Sequence, residues 1–314
     1  MPVKQKCYRF IRINMSTAEE NVILEYHLNR HQPDKPQFAI HDLNSYIKKH
    51  VGATTKPHIH SFYQVIWFKN GEGKHFVDFN AFDVTPNAIF FVAKNQVHYF
   101  DQNLEYEGVL MHFNEAFLVK NENEADFILK NSLYNNPYQQ CLSCVNDSVD
   151  HLLNDYIRLM NREIETEVEF GKEELLRNYL KSFLMQILRK RNLMGELSNE
   201  LNSVQDQRKM QLIRFNGFID QNFTKGLSVS EYARLLNISS RTLSDLTHQM
   251  LNKTPSQMIQ ERIILEAQRL LLYSALQVNQ IGYRLGFDDA SYFVKYFKKH
   301  TQSSPSEFRK SVNS

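Results

Sequence analysis

The sequence predicts an α+β chain of several domains: a small antiparallel β-barrel with helices appended to it, then an all-α domain built from two helix-turn-helix elements in tandem. Three observations predict this. Aromatic and β-branched runs broken by turn residues fill residues 38–113, apolar residues recur at spacings of three and four from about 146, and two segments of the last third align with one another.

The strand region carries runs such as Phe62-Tyr-Gln-Val-Ile-Trp-Phe68, with turn signals at Asn70-Gly71-Glu72-Gly73 and Thr85-Pro86-Asn87. Short strands at this spacing fit a small barrel or sandwich, here assigned to residues 1–145. From 146 to 195 the pattern is helical, with Val149, Leu152, Leu153, Tyr156, Leu159 and Met160, then Leu175, Leu176, Tyr179, Phe183, Leu184, Ile187 and Leu188. One apolar face on each helix serves equally to cover the barrel or to pair with a second copy, so this region is also a candidate dimerisation element. Residues 196–207 are polar with weak periodicity and read as a linker, leaving 208–314 for the tandem repeat.

With 42% hydrophobic and 23% charged residues, the 314-residue chain has enough apolar material for two cores. No stretch reaches the ~20 apolar residues of a membrane span, and Met1-Pro2-Val3-Lys4-Gln5-Lys6 lacks an apolar signal core, so a cytoplasmic location and no membrane partner are expected. Three cysteines cannot build a disulfide framework. The Cys141-Leu-Ser-Cys144 pair has neither the second pair of a zinc site nor the βαβ setting of a redox motif, and is expected to be two ordinary thiols.

Charge is unevenly spread. Residues 205–314 hold 15 Lys/Arg against 9 Asp/Glu, a balance of +6, whereas the rest of the chain stands at −4. A basic module joined to a mildly acidic one points to a polyanion partner for the basic part alone.

Leu227-Ser-Val-Ser-Glu-Tyr-Ala-Arg-Leu-Leu-Asn-Ile238 lies over Leu276-Gln-Val-Asn-Gln-Ile-Gly-Tyr-Arg-Leu-Gly-Phe287 at an offset of 49. After one extra turn residue the offset becomes 50, which aligns Leu243 with Phe293, Leu246 with Tyr296, and Pro255-Ser256 with Pro305-Ser306. Each copy has a cap (Ser228 or Gln277), a small residue where two helices cross (Ala233 or Gly282), a turn residue that tolerates positive φ (Asn237 or Gly286), and caps for a second helix at Ser239-Ser240 or Asp288-Asp289. The backbone N–H groups at those second N-termini are expected to be available to phosphates. Between the copies, Ser256 to Tyr273 is an unbroken run of helix formers about 27 Å long. That length sets the two second helices roughly one DNA turn apart, so a single chain can address successive major grooves.

These residues resemble the DNA-binding domain of the AraC/XylS family of bacterial regulators. The resemblance rests on Leu227-x-Val229-x-x-Tyr-Ala233, Lys253-Thr-Pro-Ser256, Glu266-Ala-Gln-Arg-Leu-Leu271, and above all Ile281-Gly-Tyr-Arg-Leu-Gly-Phe-Asp-Asp-Ala-Ser-Tyr-Phe-Val-Lys-Tyr-Phe-Lys-Lys299 with Ser304-Pro-Ser-Glu-Phe308. It implies recognition helices at Ser240–Met250 and Ala290–Lys299, double-stranded DNA as partner, a small-molecule effector, and RNA polymerase contact if the protein activates. Outward positions on those helices give base-contact candidates Arg241, Ser244, Asp245, His248, Ser291, Val294 and Lys295, with Arg262, Lys298 and Lys299 as phosphate candidates. Lys295 or Arg241 can pair with guanine, and Asp245 can accept from cytosine N4. Asp245 departs from the basic or amide residue common in the family, which makes the first copy the weaker anchor by charge.

The N-terminal part resembles, more loosely, the cupin-like sensor domain of that family. Gly52-x5-His58-Ile-His60-x3-Gln64-x6-Gly71 follows a cupin metal motif with Gln64 in place of its glutamate, and His98 falls where the last histidine belongs. Effector-pocket candidates are therefore His58, His60, Tyr63, Gln64, Trp67 and His98, and the nearby aromatics would suit a sugar or aromatic compound. Three histidines make a metal site geometrically available. The missing carboxylate and poor second motif argue against one, so no metal and no cofactor are expected. The rival from another class is a cupin-type metalloenzyme, such as an oxygenase, carrying a DNA-binding appendage.

Overall fold

The computed structural model describes residues 24–29, 37–102, 105–118, 147–196 and 203–311. Cys141 and Cys144, with the expectation made for them, lie outside these residues. The chain forms two compact units that divide after Glu200.

In the N-terminal unit the strands are β1 (Leu24–Tyr26), β2 (Phe38–Asp42), β3 (His58–His60), β4 (Tyr63–Asn70), β5 (Gly73–Val77), β6 (Asn80–Val84), β7 (Ala88–Val92), β8 (His98–Phe100) and β9 (Glu107–Phe113). The helices are α1 (Leu43–Lys49), α2 (Val51–Thr54), α3 (Glu115–Leu118), α4 (Asp147–Glu165) and α5 (Lys172–Glu196). The strands form two sheets, one ordered β1-β3-β8-β5-β6 and the other β2-β9-β4-β7. All pairings are antiparallel except β1 with β3, where the expected pattern gives way to a parallel pair. The long connection through β2, α1 and α2 lets the chain return in the same direction, which a tight turn could not do. The Asn70-to-Gly73 turn, with Gly71 at φ 116°, carries the chain from the second sheet to the first.

Strand β4 is buried on both faces from Tyr63 to Phe68. Its side chains alternate between two cores. Ile66 and Phe68 join Leu43, Ile47, Phe90, Phe100 and Leu110 between the sheets. Tyr63, Val65 and Trp67 face the other way, into a core completed by Leu153 and Met160 of α4 and Leu180, Phe183 and Leu184 of α5. The two long helices therefore cover the outer face of the second sheet. Arg177 of α5, fully buried, fixes this cover. Its Nε donates to the Phe117 carbonyl at 2.6 Å, its other nitrogens pair with Glu173 and Glu174, and its guanidinium lies over the Phe117 ring.

The C-terminal unit contains α6 (Ser203–Asn222), a 3-10 turn (Phe223–Lys225), α7 (Val229–Leu235), α8 (Ser240–Leu251), α9 (Pro255–Tyr273), α10 (Val278–Arg284), α11 (Ala290–Thr301) and α12 (Pro305–Ser311). Within the linker expected at 196–207, α5 takes in Glu196 and α6 starts at Ser203. Val204 to Met210 contains no Gly or Pro, so the helix anchored by buried Phe215 and Ile219 extends upstream through these polar residues.

The internal repeat is reproduced hydrogen bond by hydrogen bond. Ile238 N–H donates to the Ala233 carbonyl and Phe287 N–H to that of Gly282, both at 3.0 Å; Asn237 donates to Arg234 and Gly286 to Tyr283, again at 3.0 Å. Ser239 caps α8 by accepting from Thr242 N–H, and Asp289 caps α11 by accepting from Ser291 and Tyr292 N–H. Each copy then ends in a turn leading to a Pro-started helix, α9 after Thr254 or α12 after Ser304. Helix α9 packs against elements of both copies. Its Ala267 and Leu271 share a core with Ile281, Leu285, Phe293 and Phe297 of the second.

Two glycines permit these crossings. A Cβ at Gly282 would stand 3.1 Å from the Phe293 Cβ, so α10 and α11 approach where only a hydrogen fits comfortably. Gly286, at φ 86°, has the Thr224 carbonyl oxygen 1.9 Å from where a Cβ would sit. Gly286→Ala should therefore cost about 3 kcal/mol or more, by strain plus collision with backbone. Gly226→Ala, at φ 65° in open space, should cost only about 1 kcal/mol. Urea unfolding followed by circular dichroism checks the ranking, and equal losses would deny the close approach to Thr224.

Candidate functional site

The first candidate surface is formed by the exposed faces of α8 and α11. Helical periodicity buries Leu243, Leu246 and Thr247 on α8 and Phe293 and Phe297 on α11. Arg241, Ser244, Asp245 and His248 are consequently exposed on the first helix, and Ser291, Lys295, Lys298 and Lys299 on the second. Tyr296, the counterpart of Leu246 in the repeat, is half-buried against Phe287 and His300, and its burial pushes the phenol up to about 12.

Three expectations require correction. Val294 is half-buried and packs on the Phe293–Phe297 core, because it stands one residue from Phe293 and three from Phe297 at the border of the apolar face. Arg262, expected at a phosphate, is held within the domain. With 17% of its side chain exposed, it donates from Nε to Asp220 at 2.7 Å and from a terminal nitrogen to Glu266 at 3.0 Å, and lies over the Phe223 ring at 4.1 Å. The N-terminal N–H groups expected to be open to phosphates are partly taken, since Thr242, Ser291 and Tyr292 already donate to Ser239 or Asp289.

The second candidate site lies between the two sheets of the N-terminal unit. His58 and His60 alternate onto the same face of β3, and His98 is the cross-strand partner of His58 on β8. The three imidazoles are buried with ring centroids 4.3, 4.8 and 4.9 Å apart, and one ring nitrogen of each lies within 4.8 Å of those of the other two. Gln64, on the inward face of β4, reaches across with its amide nitrogen 3.0 Å from His60 Nε2 and 3.0 Å from Nε2 of His112, its cross-strand neighbour on β9. His75 on β5 places Nε2 3.1 Å from His98 Nδ1. Tyr26 of β1 packs its ring against His58 and His60.

Four of the six pocket candidates thus converge: His58, His60, Gln64 and His98. Tyr63 and Trp67 do not, and this corrects the expectation for them. They lie on the opposite face of β4, packed beneath the helices. Sequence reasoning missed His75 and His112. Each stands beside apolar residues, His75 before Phe76-Val77 and His112 between Met111 and Phe113, but which strands they pair with is not written locally.

Burial governs the chemistry here. It lowers the His58 imidazole to about 4 and His75 to about 3, and it holds His60, His98 and His112 well below the ordinary histidine range, with neighbouring imidazoles adding repulsion between charged forms. All five rings are neutral near pH 7. His60 Nδ1, His75 Nδ1, His98 Nε2 and Gln64 Oε1 are buried without a hydrogen-bond partner among the described residues. Such an atom costs roughly 1–3 kcal/mol, so four within one core are expensive unless the place has a use.

Near this cluster, His41 of β2 is lowered to about 4, first by burial and then by His50 and Lys49; the His112 and Tyr46 rings face it at 5.2 and 5.0 Å. Because its folded pKa lies below the unfolded value of about 6.5, the unfolded chain takes up the proton first. The resulting stability is present above about pH 6.5 and is lost as pH falls toward 4, on the order of 2 kcal/mol by pH 5. In the presence of a chelator, His41→Phe should reduce the fall in unfolding temperature of the N-terminal unit between pH 7 and 5. An unchanged slope would show that His41 titrates normally.

Comparison with known proteins matches both units. Residues 46–180 match the family described as the AraC-like ligand binding domain, and residues 232–311 match a helix-turn-helix domain family. The HTH-type transcriptional activator RhaS of Klebsiella pneumoniae is 24% identical over 262 residues, covering 80% of this chain and 86% of that protein. RhaS of Mannheimia succiniciproducens is 23% identical over 254 residues, covering 80% and 88%. Among solved structures, the C-terminal domain of AraT, a response regulator from Geobacillus stearothermophilus, is 28% identical over 32% of this chain and 84% of that one, with a TM-score of 0.31. A ligand-binding family thus spans most of the sheets and the helical cover, and a helix-turn-helix family spans most of the repeat: the chain belongs to the AraC/XylS family of DNA-binding transcription regulators, with a ligand-binding domain preceding the DNA-binding one.

Proposed function

We propose that both copies of the repeat read DNA, and that the barrel takes a small-molecule effector between its sheets. The carrying observation is the matched pair of exposed polar faces on α8 and α11, each set on its own capped helix and each backed by the same hydrogen-bonded turn. On this reading Arg241, Ser244, Asp245 and His248 face the base edges of one major groove, Ser291 and Lys295 face those of the next, and Lys298 and Lys299 neutralise phosphates. Val294 and Arg262 take no part. The two heads differ, since α11 brings three exposed lysines whereas Asp245 offsets Arg241 on α8.

The effector side is supported by His58, His60, Gln64 and His98, which place polar groups inside an otherwise apolar core. The activator role named for the RhaS relatives favours regulation over catalysis in the barrel, and supports a contact with RNA polymerase. Leu152 and Leu159 of α4 and Leu175 and Met185 of α5 stay exposed beyond the contact with the sheet, and provide an apolar surface for pairing with a second copy. No helix among the described residues is long and apolar enough to cross a membrane, which agrees with action on DNA in the cytoplasm.

Binding to a selected operator, measured across salt concentrations, tests the assignment. Lys298→Ala and Lys299→Ala should each lower the salt dependence by about one counterion while leaving sequence preference intact. Lys295→Ala should cost about 1–3 kcal/mol and relax preference at one base pair. Arg262→Ala should lower thermal stability and leave the salt slope unchanged; a reduced slope would return Arg262 to the phosphate contacts. An unchanged footprint and specificity for Lys295→Ala would remove α11 from the reading surface.

A further inference from the structure

We propose that His58, His60 and His98 hold a first-row divalent transition-metal ion between the two sheets, with Gln64 and His75 as the groups that orient the ligands. This deepens the sensor reading by naming its effector class, and rests on that reading for the ion's role but not for its binding.

Each of the three rings has two nitrogens to satisfy. A metal-ligating imidazole uses one nitrogen on the ion and gives the N–H on the other to a second group, which fixes tautomer and orientation. His58 follows this pattern: its Nδ1 lies 2.8 Å from the Lys56 carbonyl oxygen and must donate to it, so Nε2 carries the lone pair. His98 does so as well, with Nδ1 directed at His75 Nε2 and Nε2 left without a partner. In His60, Nε2 meets the Gln64 amide and Nδ1 is unpartnered. Half a turn of that amide puts Oε1 where it accepts N–H from both His60 and His112, and frees the His60 Nδ1 lone pair. Each ring thus spends one nitrogen outward on a different partner and keeps the other for the centre.

One nitrogen of each ring also lies close to those of the other two. Tetrahedral ligands at zinc–nitrogen lengths of 2.0–2.1 Å stand about 3.4 Å apart, so nitrogens already within 4.8 Å need side-chain shifts of roughly an ångström. All three rings are buried on paired strands, so little freedom remains to be lost on binding. A donor set of three neutral imidazoles and no carboxylate selects ions that favour nitrogen, such as zinc, nickel, copper or cobalt, over magnesium or calcium. The glutamine at position 64 then has its own explanation. A glutamate in the same place would bring a fourth, charged ligand, whereas the amide bridges His60 to His112 and leaves that coordination position open.

The experiment uses the untagged full chain, stripped with a chelator and titrated with zinc by calorimetry and with cobalt by absorption spectroscopy. One equivalent per chain is expected, with the intense visible bands of four-coordinate cobalt. His98→Asn should weaken binding at least tenfold. His98→Cys should keep the ion and add a thiolate-to-cobalt charge-transfer band, which a purely structural histidine could not produce. His75→Phe, which removes only an outer group, should weaken binding about tenfold with the stoichiometry unchanged. Circular dichroism of each variant confirms that it folds. Absence of stoichiometric uptake by the wild-type chain overturns the proposal, as does uptake by folded His98→Asn equal to wild type with no thiolate band in His98→Cys. Operator affinity with and without zinc is read on the same samples. Stoichiometric, histidine-dependent uptake without a change in operator affinity upholds the site and removes the ion as effector.

Discussion

Side-chain alternation along β4 is the constraint on which the N-terminal unit depends, because this strand is buried on both sides and must satisfy two different cores at once. Tyr63, Val65 and Trp67 are committed to the helical cover, and Gln64, Ile66 and Phe68 to the space between the sheets. A slip of one residue would put the Trp67 indole among the histidines and the Gln64 amide beneath α4 and α5. Pairing with β7 on one side and β9 on the other holds the register, and the same register brings Gln64 opposite His112. The cluster is therefore a product of the sheet, and α4 and α5 support it by giving the second sheet's outer face something apolar to bury.

A comparable division of labour runs along α9 in the C-terminal unit. Its Arg262 and Glu266 are spent internally, on Asp220 and on each other, and its Ala267 and Leu271 belong to the core of the second copy. A helix used in this way is a rigid spacer: its 19 residues make about 28 Å, against the ~34 Å that separates successive major grooves on one face of DNA. The final helix is tied to the end of this spacer by Arg309, whose guanidinium donates to the Leu271 and Leu276 carbonyls at 2.7 Å each. Charges that look alike in the sequence are thus divided by exposure: Arg262 and Arg309 serve the scaffold, whereas Lys295, Lys298 and Lys299 stay on the surface, where the proposed reading places the nucleic acid.

How much of this was legible in the sequence follows from how local each feature is. The turns of the repeat, their caps and the small residues at the helix crossings depend on neighbours within a few positions, so Asn237, Gly286, Ser239, Asp289 and Gly282 could be assigned from the chain alone. Exposure on α8 and α11 followed from helical periodicity except at Val294, which sits on the edge of the apolar face. The strand-borne features were less legible. Tyr63 and Trp67 could not be assigned to a face, because a strand apolar on both sides carries no alternation to read. His75 and His112 joined the site only through strand pairings with partners 23 and 48 residues away. Arg262 read as a phosphate contact because its partner Asp220 lies on a different helix, 42 residues upstream.

The two units answer to different parts of one regulatory act, and the common claim is that a single chain brings two unequal reading heads to DNA. Selection of bound sites from random DNA by the full chain tests that claim most directly. Enriched sites should carry two blocks of base preference per bound chain, centred about 10–10.5 base pairs apart, with tighter phosphate dependence under the block read by α11. Enrichment of a single short block, or of two blocks whose separation varies freely, would contradict it.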